Sequence, residues 1–195
     1  TVAATALVAL PATASPSLAA LALPQSALVL WGSPTNNQNN IRTPQIVAMP
    51  GGLGVTAAAA GYGFDLALGS DANVYAWGSN DAGQLGNGTT SDSVQATPTQ
   101  VPLPQGISAQ SVATNSNEFS TALAVGTNGD VYGWGDNADC QLGDPAPQDS
   151  YVLTPRKLPV GNAASAVAVG LDHILVLGAS GQVYGFGDNE FGQLG

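Results

Sequence analysis

Apolar runs in this chain are short, and small polar or glycine-rich turns separate them. Runs ending in Leu68, Leu123 and Leu177 meet the turns "GSDAN", "AVGTNGD" and "GASGQ", and each turn leads into a second run that begins Val-Tyr. Two apolar runs joined by a short polar turn form the pattern of a β-hairpin. The middle turn carries two extra residues, a change that surface loops tolerate. A further short run, Val112-Ala113 or Val167-Ala168-Val169, precedes the hairpin. Glycine and proline punctuate nearly every stretch, and 3.6-residue periodicity is absent. The pattern therefore predicts strands throughout and no helix.

The second run opens a longer repeat. "VYAWGSNDAGQLG" (74–86) recurs as "VYGWGDNADCQLG" (131–143) and "VYGFGDNEFGQLG" (183–195). Its aromatic is Trp77, Trp134 and Phe186, at intervals of 57 and 52 residues. A degraded copy, "LVLWGSPTNNQNN" (28–40), places Trp31 46 residues before Trp77. Proline-rich spacers, "ATPTQVPLPQG" (96–106) and "LTPRKLPVG" (153–161), carry the chain from one unit to the next. Units of about 50 residues with several short strands each predict an all-β fold made of β-propeller blades.

A motif repeated in every unit is more readily scaffold than site. The recurring residues Trp77, Gly78, Asn80, Gln84 and Gly86 are read as structural. So are Trp134, Gly135, Asn137, Gln141 and Gly143, and Phe186, Gly187, Asn189, Gln193 and Gly195. Gly78 lets the strand pack closely, Asn80 caps a turn through its side chain, and Gly83 and Gly86 take positive φ. Gln84, Gln141 and Gln193 are expected to bridge backbone groups of neighbouring strands. Tyr75, Tyr132 and Tyr184 stand two residues before the motif aromatics, on the same strand face, where interblade packing is expected.

The same glycines do not suit a phosphate, because a phosphate loop needs a helix N-terminus and usually a basic side chain. The acidic turns "SNDAG", "DNADC" and "DNEFG" lack the spaced oxygens and closing bidentate acid of a calcium loop. His173 is the single histidine, four residues before Leu177, where Phe64 and Phe119 stand before Leu68 and Leu123. A slot that takes Phe or His is a packing position. Cys140 sits beside Asp136 and Asp139, whose charge disfavours a thiolate. No catalytic residue, metal site or cofactor is expected.

Composition narrows the partners. The chain of 195 residues is 44% hydrophobic and 8% charged, with 13 acidic residues against 3 basic ones and a net charge of −10. Arg42, Arg156 and Lys157 are the only basic side chains, so no basic patch exists to hold a nucleic-acid backbone. One cysteine excludes an intrachain disulfide and a thiolate zinc site. Asn87-Gly88-Thr89 matches a glycosylation sequence, a triplet common by chance. Residues 1–25 read as an Ala/Pro-rich leader or linker. Pro11, Pro16 and Pro24 bar a bilayer-spanning helix there, while Ala-Thr-Ala at 12–14 resembles a signal-cleavage site. Residues 26–195 form the propeller part.

Taken together, the chain resembles the regulator-of-chromosome-condensation repeat family. Gly170-Leu171-Asp172-His173 matches its first line, and Gly181-Gln182-Val183-Tyr184, Ala76-Trp77-Gly78-Ser79-Asn80 and Gly83-Gln84-Leu85-Gly86 match its second. The resemblance implies a seven-bladed propeller, which needs roughly 350 residues at this repeat length, so this chain is expected to be part of a ring. Departures are Phe64 and Phe119 at the family's histidine, Cys140 at a glycine, and "NNQNN" in place of the first Gln-Leu-Gly. Three functions follow as expectations. One is a non-catalytic scaffold that binds a protein through its variable stretches, 33–45, 88–100 and 144–157. Another, implied by the resemblance, is guanine-nucleotide exchange on a small GTPase. The third is a secreted inhibitor or surface-binding propeller, which the low charge and leader-like start favour for location.

Overall fold

The computed structural model describes residues 6–9, 28–32, 41–116, 120–143, 150–161 and 163–195. These residues form fourteen strands in four antiparallel sheets. The first sheet is β1 (Ala6–Ala9), β2 (Leu28–Gly32) and β3 (Ile41–Val47); β1 lies in the stretch read as a leader and pairs with β2. The second is β4 (Val55–Ala60), β5 (Phe64–Gly69), β6 (Val74–Asn80) and β7 (Ser91–Gln100). The third is β8 (Ala109–Thr114), β9 (Thr121–Gly126), β10 (Val131–Asp136) and β11 (Tyr151–Lys157). The fourth is β12 (Ala164–Val169), β13 (His173–Gly178) and β14 (Val183–Gly187). In sheets two to four the strands follow chain order, each hairpin-linked to the next.

Consecutive sheets stack face to face, as propeller blades do, so the middle strands of the second and third sheets are buried on both sides. On β5, Phe64, Leu66 and Leu68 join a core with Ala122, Ala124 and Trp134 of the third sheet. Ala67, between them in sequence, points the other way into a core with Leu28 of the first sheet. Leu123, Val125 and Val131 repeat the arrangement against Ile174 and Val176 of the fourth sheet. That double burial explains why these runs read as nearly continuous apolar stretches. Backbone bonds stitch the stack together. Ala109 donates its N–H to the Ala72 carbonyl, and Ala164 donates to that of Gly129, both at 2.8 Å.

Two expectations are corrected. The proline-rich spacers do more than carry the chain onward, because β7 and β11 take up their first halves as the outermost strands of their sheets. Pro98 and Pro155 are tolerated there, on edge strands whose outer side needs no donor. The described parts of the three variable stretches are accordingly strand as well as turn. The second correction concerns register. Phe119 lies outside the described residues, but the pairing shows which residue holds the slot assigned to it. Phe64 pairs with Gly78 and His173 with Gly187, whereas the partner of Gly135 is Thr121. The three hairpin turns are alike in length, closed by Gly69, Gly126 and Gly178 N–H bonds to Asn73, Asp130 and Gln182 carbonyls. The extra residues lie instead between β8 and β9.

Candidate functional site

Each Val-Tyr-x-aromatic strand must leave its sheet through the glycine after the aromatic. Gly78, Gly135 and Gly187 have φ of +112°, +90° and +106°. A Cβ at these positions would meet the Gly63, Ser120 or Asp172 carbonyl, so the slot excludes every larger residue. The chain then turns on the asparagine. Leu85, Leu142 and Leu194 donate their N–H to Oδ1 of Asn80, Asn137 and Asn189 at 3.0, 2.8 and 2.9 Å. Gly86, Gly143 and Gly195 close the motif with positive φ.

The glutamines do something other than bridge strands. Oε1 of Gln84, Gln141 and Gln193 accepts the N–H of Ala82, Asp139 and Phe191, two residues upstream in each turn. Nε2 of Gln141 donates to Asp136 Oδ2 at 2.8 Å, and that of Gln193 to Asp188 Oδ2 at 2.6 Å. Ser79 stands where those aspartates stand, and Gln84 turns to Asp81 Oδ1 at 2.7 Å instead. Each glutamine therefore clamps its own turn. Gln84, Gln141 and Asp136 are almost wholly buried, and burial raises the Asp136 pKa, which the Gln141 hydrogen bond partly offsets.

The aromatics carry the contact between sheets. Trp134 is fully buried and donates Nε1–H to the Gln84 carbonyl at 2.9 Å. Phe186 fills the same place beside Gly143 without a donor. Trp77 and Tyr75 pack with Leu28 and Met49. The Tyr75 hydroxyl donates to Asp71, and that of Tyr132 accepts from Asn128. The His173 ring lies over Gly170 as the Phe64 ring lies over Gly61. In the Thr121 version, Asn115 takes over from glycine. Its Oδ1 accepts the Thr121 N–H, and its Nδ2 donates across to Leu171 O of the fourth sheet at 2.8 Å. Asn115 carries no repeat signal in the sequence, and only the longer spacing between β8 and β9 marks it.

In the second and third sheets the repeat side chains thus lie inside the fold. What they leave outside is strongly asymmetric. The β4–β5, β6–β7, β8–β9, β10–β11 and β12–β13 connections lie at one end of the sheets, as the pairings require. Asp81, Asp92, Asp139, Asp172, Asp188 and Glu190 stand at that end. The Asp139 pKa is raised by burial and then by Asp172 and Asp188, which places acids of the third and fourth sheets near one another. Leu171 and Phe191, 65% and 86% exposed, sit among them. At the opposite end Asp71 hydrogen-bonds Tyr75, and Asp130 pairs with Lys157 at 2.8 Å. Cys140 is a free, half-buried thiol at φ +60°. Among the described residues no three His, Cys, Asp or Glu side chains gather to hold a metal, and no helix is long and apolar enough to cross a membrane.

Comparison with known proteins agrees with this geometry. Sequence models of the "Regulator of chromosome condensation (RCC1) repeat" match residues 71–123 and 128–177, and a second version matches 55–84 and 164–193. The chain is 32% identical to the ultraviolet-B receptor UVR8 of Arabidopsis thaliana, covering 82% of this chain and 35% of that protein. It is also 32% identical to human probable E3 ubiquitin-protein ligase HERC6, over 85% of this chain and 17% of that protein. The chain therefore spans about a third or less of these relatives. Among solved structures, human WBSCR16 superposes with a TM-score of 0.68 at 22% identity, over 84% of this chain and 45% of that one. Yeast RCC1 (Prp20) bound to Kap60 gives 0.67 at 23%, over 85% and 40%. Prp20p of Saccharomyces cerevisiae, reported with its binding to Gsp1p and histones, gives 0.61 at 18%, over 85% and 55%. The matched repeats coincide with the sheets and turns described above, and the chain belongs to the RCC1 repeat family of β-propellers.

Proposed function

We propose that this chain is a non-catalytic scaffold that binds a protein partner through the parts of its propeller that do not repeat. The observation that carries the reading is the division of labour in the motif. Asn80, Gln84, Trp134, Asn137 and Gln141 are buried in closing turns and joining sheets. Much of what differs between units is exposed: most of β7, and Asp81, Asp92, Asp139 and Glu190 of the turn end. A rigid ring carrying variable surface segments is a recognition platform. Four exposed acids at one end, Asp81, Asp92, Asp139 and Glu190, with the half-buried Asp172 and Asp188 beside them, favour a partner with basic side chains and disfavour a phosphate backbone. Immobilised full-length protein, incubated with candidate partners and washed at increasing salt, tests this. Retention that weakens with salt supports the reading, and no retained protein removes it.

A second reading is guanine-nucleotide exchange on a small GTPase. The similarity to Prp20p, whose binding to Gsp1p is reported, favours it. It predicts faster release of labelled GDP from a GTPase in the presence of the full-length protein. No acceleration across a GTPase panel removes this reading while leaving the scaffold reading intact.

A further inference from the structure

The junctions between consecutive sheets are not equivalent. In each sheet the residue across from the motif aromatic, one strand over, is set by register: Asp65 faces Trp77, Ala122 faces Trp134, and Ile174 faces Phe186. Directly opposed residues in an antiparallel pair lie on the same face. Asp65 therefore shares the face of Ala67, Tyr75 and Trp77, which packs against Leu28 and Met49. Where the later sheets place Ala and Ile, the second sheet places a carboxylic acid against the first.

That acid is 1% exposed, and among the described residues nothing hydrogen-bonds its Oδ1. The Trp77 indole N–H on the same face is likewise buried and unbonded among the described residues. At the next junction Trp134 donates to Gln84. Among the described residues, the junction of sheets one and two thus has an acid with an unbonded oxygen and an indole without an acceptor. Titratable or charged residues on the surrounding elements are few: Tyr75 on β6, Tyr62 in the β4–β5 connection and Arg42 on β3. None stands on β1, β2 or β4.

We propose that this junction is a proton-operated latch: a neutral Asp65 keeps the first sheet seated, and its ionisation releases the sheet. A neutral carboxyl is tolerated in an apolar interface at modest cost, whereas a carboxylate there is not. Burial raises the Asp65 pKa to about 7. In the opened junction water reaches the carboxylate and its pKa returns to the ordinary range. The closed state then binds the extra proton between the two values, so opening is promoted as pH rises through that window. The two later junctions have Ala122 and Ile174 at this position and stay together.

Met49 provides the readout. It is the only methionine in the chain, is 7% exposed, and packs in the same junction. Dilute peroxide oxidises a methionine thioether only as fast as the interface opens, and a free-methionine control corrects for reagent. In the full chain the Met49 oxidation rate should rise about tenfold per pH unit between roughly pH 5 and 6.5 and level off above about 7.5. Asp65→Asn and Asp65→Ala, the latter copying Ala122, should make the profile flat. A flat wild-type profile overturns the proposal even if neither variant folds. An unchanged slope in a folded variant overturns it as well.

Discussion

The Trp134 indole N–H donates to the Gln84 main-chain carbonyl at 2.9 Å, joining residues 50 apart in sequence and one sheet apart in space. The bond runs from the strand of one repeat into the turn of the preceding one. The motif therefore holds two neighbours at once, its Gln-Leu-Gly turn receiving the aromatic of the next unit. Removing the donor while keeping the ring tests the bond. Trp134→Phe leaves a buried carbonyl unpaired and should cost about 1–3 kcal/mol in denaturant unfolding. Phe186→Trp offers the missing donor to the Gln141 carbonyl and should gain about 1 kcal/mol if the larger ring fits beside Gly143.

The turns contain two side chains where sister units have glycine. Cys140 has φ +60° against +72° at Gly83 and +79° at Gly192, and Ala72 has φ +60° against +81° at Gly129 and +93° at Gly181. A left-handed non-glycine residue costs about 1–2 kcal/mol, offset by the greater freedom glycine has in the unfolded chain. Cys140→Gly and Ala72→Gly should each raise the denaturation midpoint, by about 0.5–1 kcal/mol in free energy.

Asn137 is buried and its Oδ1 holds the Leu142 N–H. Asn137→Ala should cost about 1–3 kcal/mol by leaving that donor unsatisfied. Exposed Asn189, which makes the same bond to Leu194, should cost less when replaced, because water can substitute. Thermal unfolding of the two variants side by side checks the difference.

Asp139 is raised by burial and by Asp172 and Asp188. A carboxyl whose folded pKa exceeds its unfolded value makes the folded state bind the extra proton. Its contribution to stability is therefore greatest below the ordinary carboxylate range and falls as pH rises through the raised value. Asp139→Asn should raise the melting temperature at pH 7, with the gain vanishing at about pH 3. Added salt should reduce the gain, since repulsion among these side chains is screened.

Much of this fold is legible in the sequence because the buried residues recur. The hairpins, the asparagine cap and the glycine after the aromatic follow from a motif seen three times. The outermost strands are less legible: β7 is polar, mostly exposed and interrupted by Pro98, and it pairs with β6 through register shifts. The displaced slot at Thr121 has a different cause. Residues 122–125 of β9 are all apolar, so Leu123 and Val125 fit the register equally well until Gly135 is seen to pair with Thr121. Asp65 gives no warning, because an acid inside an apolar run reads as exposed unless the sheet that covers it is known. The glutamine clamps are hidden for another reason: their aspartate stands at a different position in the second unit than in the third and fourth.

The claim that recognition belongs to the non-repeating acidic end is tested most directly by site-specific photo-crosslinking. A photoreactive side chain replaces Asp81, Asp172 or Glu190 at that end, and Thr127 or Ser180 at the other, in the full-length protein. The predicted result is partner adducts from the first three positions and none from the last two. Adducts from Thr127 and Ser180, or none from the acidic positions while the unmodified protein still retains its partner, contradict it.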